Sequence, residues 1–195
     1  MNSRYFRSLI QSLSLILGLG LGSPALASNA DEKIKQFVNN YFPAVGQHQS
    51  KPKQLWLTGH LKQQVKQILG HLYYKIRVPY WLVESSTPHT SPRSIWVLNE
   101  TGKEKPITVG IVIQDNKIQS LRILKFRESR GWEVKLPSFT QQFDNIGFQQ
   151  PFNINQPKLN QTIDGISGAT LSVTAVTKLS KMALLLHQHI TPRDH

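Results

Sequence analysis

Residues 164–170, Asp-Gly-Ile-Ser-Gly-Ala-Thr, bring a carboxylate, two glycines and two hydroxyls together immediately before an apolar pattern of helical period. Gly165 and Gly168 allow backbone conformations that other residues resist and let a ligand come close to the chain. A helix start offers unpaired N–H donors and the positive end of the helix dipole, which together suit a phosphate. Gly168 and Ala169 would lie at that start, with the Thr170 hydroxyl beside it. Ser167 or Asp164 can instead cap the helix by accepting from those same N–H groups. The residues alone leave both readings open, a helix cap or a phosphate-binding turn.

Gly165 to Ala169 also comes within one glycine of the G-x-S-x-G nucleophile elbow. That elbow needs a strand before it, a helix after it, and an acid and a histidine later in the chain. After Ser167 the histidines are His187, His189 and His195 and the acid is Asp194, all near the chain end. The chain is also short for such a hydrolase, and the nucleophilic reading is set aside. His187 and His189 are spaced as a metal pair can be, but a polar helix end explains them as well.

The elements that must carry this turn follow from periodicity. Asp31 to Phe42 spaces Ile34, Phe37, Val38 and Tyr41 as a helix, with acids in its first turn and Pro43 after it. Thr58 can cap a second helix through Leu69, stopped by Gly70. Tyr73 to Val83 is aromatic and β-branched and reads as strand, with Pro79 suggesting an edge or a bulge. Ser94 to Leu98 reads as a short strand. Ile107, Val109, Ile111 and Ile113 alternate strictly, Asp115-Asn116 makes a hairpin turn, and the return strand runs from Lys117 to about Phe126. Trp81 and Trp96 fall in strands and belong to the core. Glu128 to Lys135 is a polar loop, Ser138 to Phe143 one helical turn, and residues 148–161 irregular. The last helix starts near Gly168 and repeats Ala169, Val173, Val176, Leu179, Ala183 and Leu186 on one stripe. Helices, then strands, then a helix predict an α+β fold with an antiparallel sheet, N-terminal helices and a C-terminal helix after the turn.

Of 195 residues 39% are hydrophobic and 17% charged, enough apolar content for a core. Arg4 and Arg7 precede an apolar run, Ser8 to Gly22, and Ala25-Leu26-Ala27 makes a small-x-small site. This is the layout of a secretory signal peptide, expected to end at Ala27, and the run is short for a membrane span. The absence of cysteine excludes disulfides, thiol chemistry and c-type haem. Export to a bacterial periplasm is the expectation. The net charge of +12 falls to +10 once Arg4 and Arg7 are removed with the leader. For an exported chain that favours acidic proteins, anionic lipids or phosphorylated ligands as partners over nucleic acid, although a scattered solvated surface accounts for the charge as well. The expected organisation is a leader (1–27), a helical region with the first strand (28–80), and a principal domain (81–190).

The segment Asp164 to Thr170 is similar to the D-x-x-[ST]-G-A-[ST] signature of the FMN-binding domain. That domain occurs in flavin-carrying subunits of sodium-pumping NADH:quinone reductase and Rnf complexes, and in small exported flavoproteins. Gly102 to Ile118, Phe126 to Val134, Phe139 to Phe143 and Ile163 to Val176 extend the resemblance to the exported branch. Residues 31–70 do not resemble the respiratory subunits. The resemblance implies FMN joined through its phosphate to Thr170, with Asp164, Ser167, Gly168 and Ala169 around the attachment. It implies a flavin transferase that uses FAD as donor with a divalent metal and releases AMP. An electron carrier rather than an enzyme is expected, exchanging electrons with a membrane or periplasmic redox partner. Trp132 beside Gly131 can stack on the flavin or cover the core, and Glu128 and Arg130 can flank the ring or face solvent. The alternative is a non-redox binding module that uses the fold and its basic face for an anionic ligand or partner.

Overall fold

The alternation of Ile107, Val109, Ile111 and Ile113 places all four side chains in one buried layer of a β-strand. In the computed structural model, which describes residues 25–42, 51–84 and 91–191, this is β4, Pro106–Gln114. Most of the expected leader (residues 1–24), residues 85–90 between the second and third strands, Asp194 and His195 lie outside the described residues. Asp115 and Asn116 adopt positive φ of 53° and 58°, the tight turn whose twist matches a hairpin. The chain returns as β5, Lys117–Lys125.

Five strands form one antiparallel sheet in the order β1-β2-β3-β4-β5: β1 is Lys53–Trp56, β2 Arg77–Val83 and β3 Arg93–Thr101. The fold is α+β, as the order of patterns implied. The strands differ locally from the expectations. β1 carries no alternation long enough to read. Residues 73–76 precede β2 rather than belong to it. Pro79 does not mark the sheet edge, because β1 pairs alongside it, Gln54 opposite Pro79. β3 also runs beyond Leu98, because its register with β4 continues to Thr101 opposite Pro106.

Helices cover both faces. The first, α1, spans Ala25–Asn39, starting earlier and ending sooner than the expected 31–42. Its Phe37 and Val38 bury against Ile95, Val112 and Leu124. A Cβ on Gly110 would stand 2.5 Å from the Phe37 ring, so a glycine in mid-strand is what lets the helix approach this face. The opposite face holds α2, Gly59–Leu69, and α4, Thr170–Ile190. Gly70 ends α2 at φ 84°, as expected, while Thr58 stands at its N-cap without a side-chain hydrogen bond. Val176, Leu179, Ala183 and Leu186 of α4 pack with Trp96, Leu98 and the β4 isoleucines in the main core. Between β5 and α4 lie a 3-10 turn (Trp132–Lys135), the short α3 (Pro137–Thr140) and a second 3-10 turn (Gln141–Phe143). Phe139 and Phe143 meet edge to face there, 5.5 Å between centroids.

The far end of α4 is not the polar end its histidines suggest. His187 is buried, and its Nδ1 lies 2.7 Å from Ser94 Oγ, which also accepts from Trp96 Nε1 at 2.8 Å. Burial holds the imidazole down at about 4, against a smaller opposing pull from Asp115. His189 is exposed, and among the described residues no cluster of His, Cys, Asp or Glu could hold a metal. Among the described residues no helix is long and apolar enough to cross a membrane.

Candidate functional site

The turn before α4 is held at both ends and open in the middle. Ile163 and Ile166 pack against the main core, while the Asp164 N–H donates to Gln142 Oε1 at 2.8 Å. The Ala169 N–H then bonds back to the Ile166 carbonyl at 2.9 Å, closing a tight turn through Gly168 at φ 79°. That conformation strains any residue with a Cβ, so glycine there is set by geometry. Where a Cβ would stand on Gly165 or Gly168, no atom lies within 4 Å. Both glycines border open space.

The helix itself begins at Thr170, two residues later than Gly168, and Ala169 occupies the N-cap position with φ −120° and ψ 18°. Neither Ser167 nor Asp164 caps it: no side chain bonds to the cap position. The αL residue Gly168 separates Ser167 from the first turn, and the Asp164 backbone is tied to Gln142. The first helical bond is Val173 N–H to the Ala169 carbonyl at 3.0 Å. Consequently the N–H groups of Thr170, Leu171 and Ser172 have no partner among the described residues. An uncapped helix start costs about 1 kcal/mol relative to a capped one. The same three donors and the dipole of a 21-residue helix form an electropositive seat for an anion.

Ala169 is buried, whereas Asp164, Ser167, Gly168 and Thr170 are exposed, so the Thr170 hydroxyl opens to solvent. Gly131 leans on the base of the turn, because a Cβ there would stand 3.0 Å from Ser172 Oγ and 3.2 Å from Ala169 Cβ. This contact brings the 126–135 segment beside the start of α4. Trp132, next along the chain, is 51% exposed and does not cover the core; Leu171 is 53% exposed. Leu136 is exposed as well. Thus an exposed hydroxyl, N–H groups without partners among the described residues and the exposed Leu171 meet at the start of α4, with the Gly131–Trp132 segment packed beside it.

Glu128, expected to flank a ring or face solvent, also fastens a turn. Its Oε1 accepts from the N–H groups of Lys103, Glu104 and Lys105 at 2.7, 2.9 and 3.0 Å. Those bonds, that of Lys105 foremost, hold its carboxyl below the usual carboxylate range. Arg130 is exposed. Two residues went unnoticed in the sequence. Gln142 fixes the turn through its side chain, and a lone glutamine in a short turn has no periodic signal. Glu133, on the Trp132 turn, has a buried Oε2 with no partner among the described residues, which leaves an acceptor for a donor not supplied by those residues.

Residues 102–185 match the family model of the FMN-binding domain. The match runs from the turn before β4 through most of α4 and contains the whole segment from Asp164 to Thr170. No curated protein matches the chain significantly. The residues present fit a flavin nucleotide: the uncapped start of α4 and the open space at Gly165 and Gly168 suit its phosphate, and exposed Trp132 and Leu171 suit an aromatic ring system.

Proposed function

We propose, from the premise that residues 102–185 form a domain of the FMN-binding family and make this a flavin-binding protein, that FMN is held by a phosphoester to Thr170. We further propose that the protein is a periplasmic electron carrier. The observation that carries the attachment is Thr170 itself, exposed at the first position of α4, where three N–H groups have no partner among the described residues.

In the attachment reaction the Thr170 Oγ1–phosphorus bond forms as the pyrophosphate bond of FAD breaks, AMP leaves, and the hydroxyl proton passes to a base of the transferase. The exposure of Thr170 gives that second enzyme access. A phosphodiester of about −1 charge then sits at the helix start, where such a charge is stabilised by 0.3–1 kcal/mol, more if partly buried. Ser167 and Gly168 line the approach, Asp164 stands at the turn's entry with its backbone fixed by Gln142, and buried Ala169 sets the position of Thr170. Bound FMN supplies one- and two-electron redox chemistry. The chain's part is to tether it, orient it beside Trp132 and Leu171, and leave an edge exposed to a redox partner. A covalent tether also answers the retention problem of an exported protein that cannot draw on free FMN.

The carrier reading is tested with protein purified from cells containing the flavin transferase. It predicts visible flavin absorbance that bleaches with dithionite under anaerobic conditions and returns with a soluble one-electron oxidant. Loaded protein that binds flavin but cannot be cycled in this way contradicts it.

A further inference from the structure

Among the described residues seven large apolar side chains are exposed, and they fall into two groups. Trp132, Leu136 and Leu171 belong to the candidate flavin site. The other four, Trp56, Leu72, Tyr74 and Ile76, come from one stretch outside the matched domain, and each is more than half exposed. Pairing holds this stretch together. Trp56 stands opposite Arg77 in the β1–β2 register, and the Leu57 N–H bonds to the Ile76 carbonyl at 2.8 Å. Asn99 Nδ2 donates to the Tyr74 hydroxyl at 2.9 Å. Each exposed aromatic ring carries a cation: Arg77 lies 5.1 Å from the Trp56 ring and Lys75 5.4 Å from the Tyr74 ring.

The stretch of chain that carries these four residues is basic. Between Glu32 and Glu84 the sequence has eight lysines and arginines and no acid. A groove of ≈ 520 Å³ opens beside Leu72 and Tyr74, with Lys125 and Arg127 also lining it. Its one carboxylate, Glu100, is buried and bonded to His71 Nε2 at 2.9 Å. Exposed aromatic and aliphatic tips ringed by cations suit the boundary between headgroups and acyl chains. There the rings and branched chains enter the interface, and Lys and Arg engage phosphates. Trp56 stands on the outer strand of the sheet and Ile76 in the segment before β2, while Leu72 and Tyr74 border the groove together with Lys125 and Arg127, so apolar tips and cations that can meet phosphates lie side by side.

We propose that the exposed edge of the sheet that carries Trp56, Leu72, Tyr74 and Ile76 with Lys75 and Arg77 docks this protein on anionic lipid bilayers. The proposal does not depend on the flavin. It would hold a carrier close to a membrane-bound electron donor or acceptor while leaving the Thr170 end to its own partner.

The test is cosedimentation with vesicles of phosphatidylcholine, with and without an equal share of phosphatidylglycerol. It uses the chain as isolated from the periplasm of the expressing cell, so every variant carries the same N-terminus. Binding is expected to the anionic vesicles, to be lost in high salt, and to be far weaker on neutral ones. Lys75→Glu with Arg77→Glu should weaken it by roughly tenfold or more, at about 1 kcal/mol per cation near the surface. Trp56→Ser with Ile76→Ser should also weaken it severalfold. Lys117→Glu with Lys158→Glu, an equal charge change at other exposed sites, should stay within about twofold. Circular dichroism confirms each fold, and a glutamate pair that misfolds is replaced by Lys75→Gln with Arg77→Gln. Three outcomes overturn the proposal: no binding to anionic vesicles, equal binding to neutral ones, or equal loss in the control pair.

Discussion

Gly168 and Gly165 occupy the same turn but face different demands. Gly168 sits at φ 79°, whereas Gly165 does not have positive φ, and both border open space. Gly168→Ala should therefore destabilise the protein by about 1 kcal/mol through backbone strain alone and slow flavin loading. Gly165→Ala should change stability by less than about 0.5 kcal/mol. Urea denaturation and time courses of flavin attachment read both effects. Equal behaviour of the two variants would mean that the turn's conformation does not matter. The role proposed for Thr170 rests in the sequence on the motif alone, because a lone threonine before an apolar stripe is ordinary. The free N–H groups beside it were not legible. Ser167 and Asp164 both looked competent as caps, and only the αL turn at Gly168 and the bond from Asp164 to Gln142 decide against them.

Among the elements, the β4–β5 hairpin was the clearest in sequence because one face alternates strictly and the turn residues demand positive φ. The strand at the opposite edge of the sheet, β1, was invisible: Lys53–Trp56 has one partly buried side chain among exposed ones, too short a pattern to carry a period. The turn before β4 is closed by the Gly102 N–H on the Lys105 carbonyl and fastened further by Glu128, and that long-range contact has no sequence signal. Glu128→Ala should free Lys103 to Lys105, so trypsin should cut after Lys103 faster in the variant, as measured by peptide mapping over time. Unchanged cleavage would show that the three hydrogen bonds do not restrain the turn. The carboxyl is held below its ordinary 4.5, so the restraint is complete above that pH and is lost as the pH falls through the depressed value. Packing on the other face is tighter. Gly110→Ala drives a methyl to 2.5 Å from the Phe37 ring, and overpacking of this kind costs about 1–3 kcal/mol. A denaturation midpoint unchanged from wild type would mean that α1 does not pack as described.

For the whole molecule, pH stability turns on His187, a residue that periodicity placed on the helix but could not place in the core. Its pKa falls from 6.5 to about 4 on burial. Above about pH 6.5 both folded and unfolded states hold it neutral and it adds no slope. Between about 6.5 and 4 the unfolded chain binds the extra proton, so stability falls as pH falls, by about 2 kcal/mol at pH 5. His187→Gln should flatten that part of a urea-denaturation profile, and an unaltered slope would assign it elsewhere. The overall α+β architecture was readable from the order of patterns, while the helix on each face of the sheet and the gathering of exposed apolar residues at two places depend on packing that no local pattern records. The most direct test of the account is the intact mass of the protein made with an active flavin transferase, compared with Thr170→Ala and Thr170→Ser. The account predicts the mass of one esterified FMN on wild type and on the serine variant, mapped to the peptide containing residue 170, and none on the alanine variant. An unmodified wild-type mass beside a control protein that is loaded, or full loading of Thr170→Ala, would contradict it.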